Sequence, residues 1–82
     1  MFLIYGKDNC PYCVQAKALI EQNQWPYEYK DIMKDKAARA EFFQKMPTER
    51  YVPQVFWNGE HVGGFDKLQA AVREGKFPKI ST

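Results

Sequence analysis

The chain has few cysteines, a single histidine and no leader-like segment. Its 82 residues include two Cys and one His. Disulfide-stapled miniproteins usually carry more cysteines and come with a signal peptide. No basic stretch followed by a long apolar segment opens this sequence, so nothing in it resembles a secretory signal. We therefore expect a reducing, cytoplasmic setting for the two cysteines.

Long hydrophobic runs and an excess of one charge are also missing. No apolar run approaches the roughly 20 residues that cross a bilayer, so no membrane association is expected. The formal net charge of +2 is spread along the chain, which gives no support to nucleic-acid binding. With 45% hydrophobic residues, residues 1–82 are predicted to form one small monomeric domain, with a loosely ordered tail from about Phe77.

The hydrophobic pattern predicts the element order β-α-β followed by α-β-β-α. The first three elements should form a crossover unit with parallel strands. Asn58-Gly59 lies between two short strand-like runs and is a strong hairpin signal. The predicted elements are strand Met1–Tyr5, helix Val14–Asn23, strand Tyr27–Ile32, helix Asp35–Met46, strands Gln54–Trp57 and Glu60–Val62, and a last helix that Asp66 caps and Gly75 ends.

The two cysteines lie in the tetrapeptide Cys10-Pro11-Tyr12-Cys13, at the predicted junction of the first strand and first helix. This spacing can bring their Cα atoms within the roughly 4.4–6.8 Å that a disulfide requires. The N–H groups and partial positive charge of a helix N-terminus favour a thiolate, and Lys7 adds positive charge nearby. We therefore expect the pKa of Cys10 to lie below the ordinary thiol value. Cys10, the more exposed cysteine, would attack, and Cys13, on the inner face, would resolve the mixed disulfide.

A zinc site is the main alternative interpretation of the cysteine pair. Structural zinc takes four ligands, and His61 is the only other soft ligand in the chain. A complete site within one chain is therefore not available, and we expect no metal. For His61 itself, a surface or edge-strand position is favoured over a catalytic role.

Two further segments predict contacts with a ligand. Val52-Pro53 precedes a predicted strand and fits a cis peptide that exposes the N–H and C=O of Val52 to a peptide-like substrate. An ordinary trans proline at the start of a strand is the alternative. In Gly63-Gly64-Phe65-Asp66, outward N–H groups would suit a carboxylate and Asp66 an ammonium group. A structural turn with a capping aspartate is the alternative there.

Together these segments resemble the glutaredoxins over nearly the whole chain, to about Gly75. The tetrapeptide CPYC is highly specific to the dithiol members of that family. The resemblance implies an α/β thioredoxin-like fold, with a four-stranded mixed sheet flanked by three helices. The segments that carry it are Gly6-Lys7, Cys10–Val14, Tyr27–Ile32, Val52–Phe56 and His61–Asp66.

The resemblance also implies roles for individual residues. Cys10 would be the nucleophile and Cys13 the resolving thiol, while Val52 would pair with the backbone of the glutathione cysteine. Tyr51 departs from the threonine that usually precedes Val-Pro, and Lys67 from a frequent second aspartate. The implied glutathione-binding residues are Lys7, Tyr12, Arg50, Val52 and Pro53, with Gly64, Phe65 and Asp66 at the γ-glutamyl end.

The predicted function is reduction of protein disulfides and glutathione mixed disulfides, with glutathione as co-substrate. Expected partners are glutathione and disulfide-bearing or glutathionylated proteins. One alternative is a redoxin recharged by a flavoprotein reductase and dedicated to ribonucleotide reductase. Another is a carrier of an iron–sulfur cluster held by glutathione and one cysteine from each of two chains. Lys7, Arg50 and Asp66 match the charges of glutathione, and Pro11 counts against the cluster by family resemblance.

Overall fold

The structure is a computed structural model that describes residues 1–48 and 51–77. Seven secondary-structure elements lie within these ranges. Their order confirms the predicted β-α-β-α-β-β-α arrangement. Within these ranges, no helix is both long and apolar enough to cross a membrane. The elements are β1 (Phe2–Gly6), α1 (Pro11–Gln22), β2 (Tyr27–Asp31), α2 (Lys36–Lys45), β3 (Gln54–Trp57), β4 (Glu60–Gly63) and α3 (Phe65–Arg73).

The four strands form one mixed sheet in the order β2-β1-β3-β4. β1 pairs with β2 in parallel and with β3 antiparallel, and β3 pairs with β4 antiparallel. The hairpin between β3 and β4 turns at Asn58 and Gly59, whose φ angles are 48° and 87°. Two positive φ angles in a two-residue hairpin loop are the reason that Asn-Gly predicts such a turn. The mixed sheet and the hairpin confirm the sequence-based prediction.

The central strand β1 is buried because helices cover both faces of the sheet. Phe2 and Ile4 pack on one face with residues of α1 and α3. Tyr5 packs on the other face against Phe42 of α2. This alternation follows from the two-residue period of a strand. The short connection from Gly6 to Pro11 places the N-terminus of α1 beside the end of β1.

The start of α3 differs from the sequence-based prediction that Asp66 caps it. The N-cap is Gly64, the helix begins at Phe65, and no side chain caps it. Phe65 packs against the core, so the first helical turn includes it. Asp66 lies within that turn, where a carboxylate still interacts favourably with the positive end of the helix.

Phe77 also differs from the prediction of a loosely ordered tail. Its side chain is buried in the core beside α1 and α3. Its ring centroid lies 4.8 Å from that of Phe2, 5.7 Å from Trp25 and 5.4 Å from Trp57. Burial of one large aromatic ring therefore anchors the chain after α3. The rest of the predicted tail, residues 78–82, lies outside the described residues.

Candidate active site

The two cysteines lie where β1 leads into α1. Cys10 is the N-cap of α1 and has an extended backbone, and Pro11 is the first helical residue. Proline suits that position because its missing N–H would have no partner within the helix. Cys10 and Cys13 form a disulfide with their Cα atoms 5.2 Å apart. One turn of helix therefore brings the two sulfurs together.

The two sulfurs differ in their access to solvent. Cys10 retains 7% of its accessible surface, whereas Cys13 retains none. The carbonyl oxygen of Val52 lies 3.8 Å from Cys10 Sγ, which places the loop before β3 beside the outer sulfur. Cys10 is therefore the cysteine with exposed surface that an incoming thiol or disulfide can reach, while Cys13 is fully buried.

The first turn of α1 places a hydrogen-bond donor on the outer sulfur. The backbone N–H of Cys13 donates to Cys10 Sγ over 3.2 Å. A donor aimed at a sulfur favours its negatively charged form, as does the positive end of the helix. Once the disulfide is reduced, these groups favour a thiolate on Cys10.

A cavity of about 350 Å³ lies beside the Val52 loop, and we call it the groove. It brings together residues from three segments that are far apart in the sequence. Tyr12, which is 60% exposed, stacks on Phe65 with 5.9 Å between ring centroids and forms one wall. The Val52–Pro53 peptide bond is cis. The groove is lined by Tyr12, Tyr51, Val52, Pro53, Gly64, Phe65 and Asp66.

A second cavity, of about 410 Å³, continues on the other side of Tyr51 and Val52. Lys7 lies here and not in the groove, together with Arg39 of α2. The predicted residue Arg50 lies outside the described residues. Arg39 carries positive charge to this site, and it was not among the binding residues expected from the sequence. Its guanidinium lies 5.5 Å from the ring centroid of Phe43, four residues further along α2. Side chains four residues apart on a helix are neighbours, so this spacing was the sequence pattern that could have indicated the contact.

The backbone of Lys7 is held by the neighbouring strand. The Tyr29 hydroxyl donates to the Lys7 carbonyl over 3.4 Å. A Cβ at Gly6 would collide with that hydroxyl and ring. The glycine at the end of β1 therefore lets Tyr29 reach across and fix the turn that precedes Cys10.

A third cavity, of about 580 Å³, lies between β4 and α3 and is larger than the groove. Neither cysteine borders it, nor does Val52 or Asp66. Lys67 lines this cavity, and its aliphatic chain covers Gly63. Proximity to the reactive sulfurs therefore favours the smaller groove as the candidate binding site.

A thioredoxin-like sheet with a cysteine pair at the start of its first helix defines a thiol–disulfide oxidoreductase. The glutaredoxin family model matches residues 2–62. The match to Glutaredoxin 1 of Escherichia coli K12 has 37% identity over 79 aligned positions, and it covers 88% of this chain and 92% of that protein. The chain belongs to the glutaredoxin family.

Solved structures of relatives share the fold. A buckwheat glutaredoxin–glutathione complex has a TM-score of 0.78 and 31% identity, and the match covers 92% of this chain and 70% of that one. Reduced Escherichia coli glutaredoxin has a TM-score of 0.76 and 33% identity, with 92% and 95% covered. These matches confirm the predicted thioredoxin-like fold.

Proposed function

We propose that this protein uses glutathione to reduce protein disulfides and glutathione mixed disulfides. The observation that carries the proposal is the groove, which lies beside the loop that contacts Cys10 Sγ and contains both backbone and carboxylate groups. Glutathione is a short peptide with two carboxylates and one ammonium group, so it needs such a mixed site. The glutathione complex of the buckwheat relative supports this choice of ligand.

Cys10 acts as the nucleophile in the proposed reaction. Its thiolate attacks the glutathione sulfur of a mixed disulfide, that S–S bond breaks, and the substrate thiolate leaves and takes up a proton. Cys10 is then bonded to glutathione. A second glutathione thiolate attacks the bound glutathione sulfur, which releases glutathione disulfide and restores the Cys10 thiolate.

Cys13 is required when the substrate is a protein disulfide. Cys10 attacks one substrate sulfur and forms a mixed disulfide with the protein. The Cys13 thiolate then attacks Cys10 Sγ, releases the reduced substrate and leaves the Cys10–Cys13 disulfide. Two molecules of glutathione supply the two electrons that reduce this disulfide again.

The charged groups on either side of Val52 suit the two ends of glutathione. Lys7 and Arg39 lie in the adjoining cavity and would face the glycine carboxylate. At the other end, free N–H groups in the first turn of α3 would face the γ-glutamyl carboxylate, and Asp66 its ammonium group. Val52 would pair with the peptide backbone between them.

The experiment compares two recharging systems and two variants. Reduction of a glutathionylated peptide and of a protein disulfide is measured with glutathione plus glutathione reductase, and separately with thioredoxin reductase. We expect turnover with glutathione, no activity in Cys10→Ser, and turnover of only the glutathionylated peptide in Cys13→Ser. Each variant is the matched control for the other because both remove one sulfur from the same turn.

Three outcomes would contradict the proposal. Turnover supported by thioredoxin reductase alone would favour a redoxin dedicated to another reductase. Activity in Cys10→Ser but not in Cys13→Ser would reverse the two roles. A brown, iron-containing protein without thiol–disulfide activity would favour the cluster carrier.

A further inference from the structure

Gln54 is buried beside the groove, at the start of β3. It retains none of its accessible surface and is the single buried polar side chain in the described ranges. A buried amide is costly unless its donors and acceptor are paired. Its partners therefore indicate what this residue does.

Both ends of the Gln54 amide are paired. Its Nε2 donates to the carbonyl oxygen of Tyr51 over 3.2 Å, and its Oε1 lies 2.7 Å from Nε2 of His61. A carbonyl oxygen can only accept, so the NH₂ group must face Tyr51 and Oε1 must face His61. His61 therefore carries a hydrogen on Nε2 and donates it to Gln54.

The carbonyl held by Gln54 belongs to the same peptide unit as the N–H of Val52. The Tyr51–Val52 bond is trans, so its C=O and N–H point in opposite directions across one rigid plane. Drawing the carbonyl inward to Gln54 turns the Val52 N–H away from the core. Within the described residues, this N–H donates to no protein acceptor, and Val52 lines the groove.

We propose that Gln54 and His61 are positioning residues that aim the Val52 N–H at the backbone of bound glutathione. This inference rests on the proposed function, which places glutathione in the groove. Neither residue lines the groove, so both act through the Tyr51–Val52 peptide unit. His61 fixes the amide of Gln54, and Gln54 fixes the peptide plane.

A thiol-exchange equilibrium isolates this effect from the reactivity of the sulfur. In a Cys13→Ser protein, the Cys10–glutathione mixed disulfide is equilibrated with 2-mercaptoethanol, and both protein adducts are quantified by mass spectrometry. One S–S bond breaks and another forms, a proton passes to the released thiol, and no net oxidation occurs. The preference for glutathione therefore reports contacts with its peptide portion.

Four variants in this background test the positioning. Gln54→Met keeps the length but removes the donor, and it should lower the preference about two- to tenfold, the range for one hydrogen bond. His61→Leu should lower it in the same direction, and His61→Gln should retain it because an amide can still donate. Glu60→Leu is the matched control, since Glu60 is also exposed on β4 and lies outside the groove.

The outcomes separate this inference from the proposed function. If the Cys13→Ser protein itself shows no preference for glutathione, the proposed function fails. If that preference exists and folded Gln54→Met and His61→Leu both retain it, the positioning role is overturned. If Gln54→Met does not fold, the exposed His61→Leu decides. Hydrogen exchange gives a second expected result. The Val52 amide should be protected from exchange in the glutathione adduct. This protection should be lost in His61→Leu and kept in His61→Gln.

Discussion

The Asp66 carboxylate gives the sharpest test of the proposal that the groove binds glutathione. We consider Asp66→Asn, which removes the charge, and Asp66→Ala, which also removes the hydrogen-bond acceptor. The carboxylate lines the groove and is exposed. Because it would contact the γ-glutamyl ammonium, its loss should raise KM for a glutathionylated peptide and leave kcat nearly unchanged.

Exposure sets the size of the expected effect. An exposed ion pair contributes about 0.2–1 kcal/mol, which corresponds to a rise in KM of up to about fivefold for Asp66→Asn. A hydrogen bond to a charged group contributes about 1.5–3 kcal/mol when it is well shielded. Since Asp66 is exposed, we expect Asp66→Ala near the lower end of that range, about tenfold. The ionic part should shrink at high salt.

Because Asp66 lies inside the first turn of α3, its substitution should cost less stability than the loss of an N-cap would. Loss of an N-cap would cost about 0.5–2 kcal/mol of stability. Asp66 is not the cap, so only its interaction with the helix dipole is lost, about 0.3–1 kcal/mol. Thermal melts should therefore show a small decrease for both variants.

Steady-state kinetics at low and high salt measure the effect. Gln69→Ala is the control, because Gln69 is also exposed on α3 and lies outside the groove. A folded Asp66→Ala protein with the wild-type KM at low salt would refute the γ-glutamyl assignment. The alternative of a redoxin recharged by a flavoprotein reductase would then move ahead.

Two further predictions concern protonation. The ultraviolet absorbance of the Cys10 thiolate should titrate with a midpoint below the ordinary thiol pKa of about 8.5. Lys7→Gln should raise this midpoint only slightly, because an exposed charge is screened. A wild-type midpoint at or above about 8.5 would contradict activation of Cys10 by the helix. Hydrogen bonds from Tyr5, and then from Lys30, lower the pKa of Glu41 below its ordinary value of 4.5. The stability that ionised Glu41 contributes should therefore be lost as the pH falls through its folded-state pKa. Below about pH 5, the melting temperature of Glu41→Gln should fall less steeply with pH than that of the wild type. The same pH dependence in both proteins would contradict this prediction.

The fold could be predicted where short-range signals determine it. The helix α2 runs from Lys36 to Lys45, within the predicted range Asp35–Met46. Asp35 Oδ1 accepts from the backbone N–H groups of Ala37 and Ala38 at its start. The Asn58-Gly59 turn was equally clear. Asp66 was misassigned because aspartate is favoured both as an N-cap and in the first turn, and only packing of Phe65 distinguishes the two. Burial of Phe77 depends on rings from distant parts of the chain, so no local pattern could indicate it.

In the candidate site, too, local sequence patterns predicted some features, and other features depend on contacts between distant residues. The two cysteines lie within four consecutive residues, and their position at the start of a helix could be predicted. The partnership of Gln54 and His61 depends on the register of β3 and β4, in which His61 lies opposite Phe56 and a bulge follows. Gln54 precedes Phe56 by two residues and shares its face, so the pair is diagonal. His61 is exposed on the edge strand β4, which confirms the position expected from the sequence. Its bond to Gln54 could not be predicted, because a bulge shifts the register without a clear sequence signal.

The two departures from the glutaredoxin pattern have different consequences for the site. Lys67, in place of a frequent aspartate, lines the cavity between β4 and α3 and not the groove. Lys67 therefore lies outside the proposed glutathione site, and Asp66 is the carboxylate that lines the groove. Tyr51, in place of a threonine, is 59% exposed and lines both the groove and the cavity that holds Lys7. Because its carbonyl is held by Gln54, its backbone is fixed while its ring is free to contact a ligand. Selectivity particular to this chain should therefore reside at Tyr51, on the boundary between the two cavities.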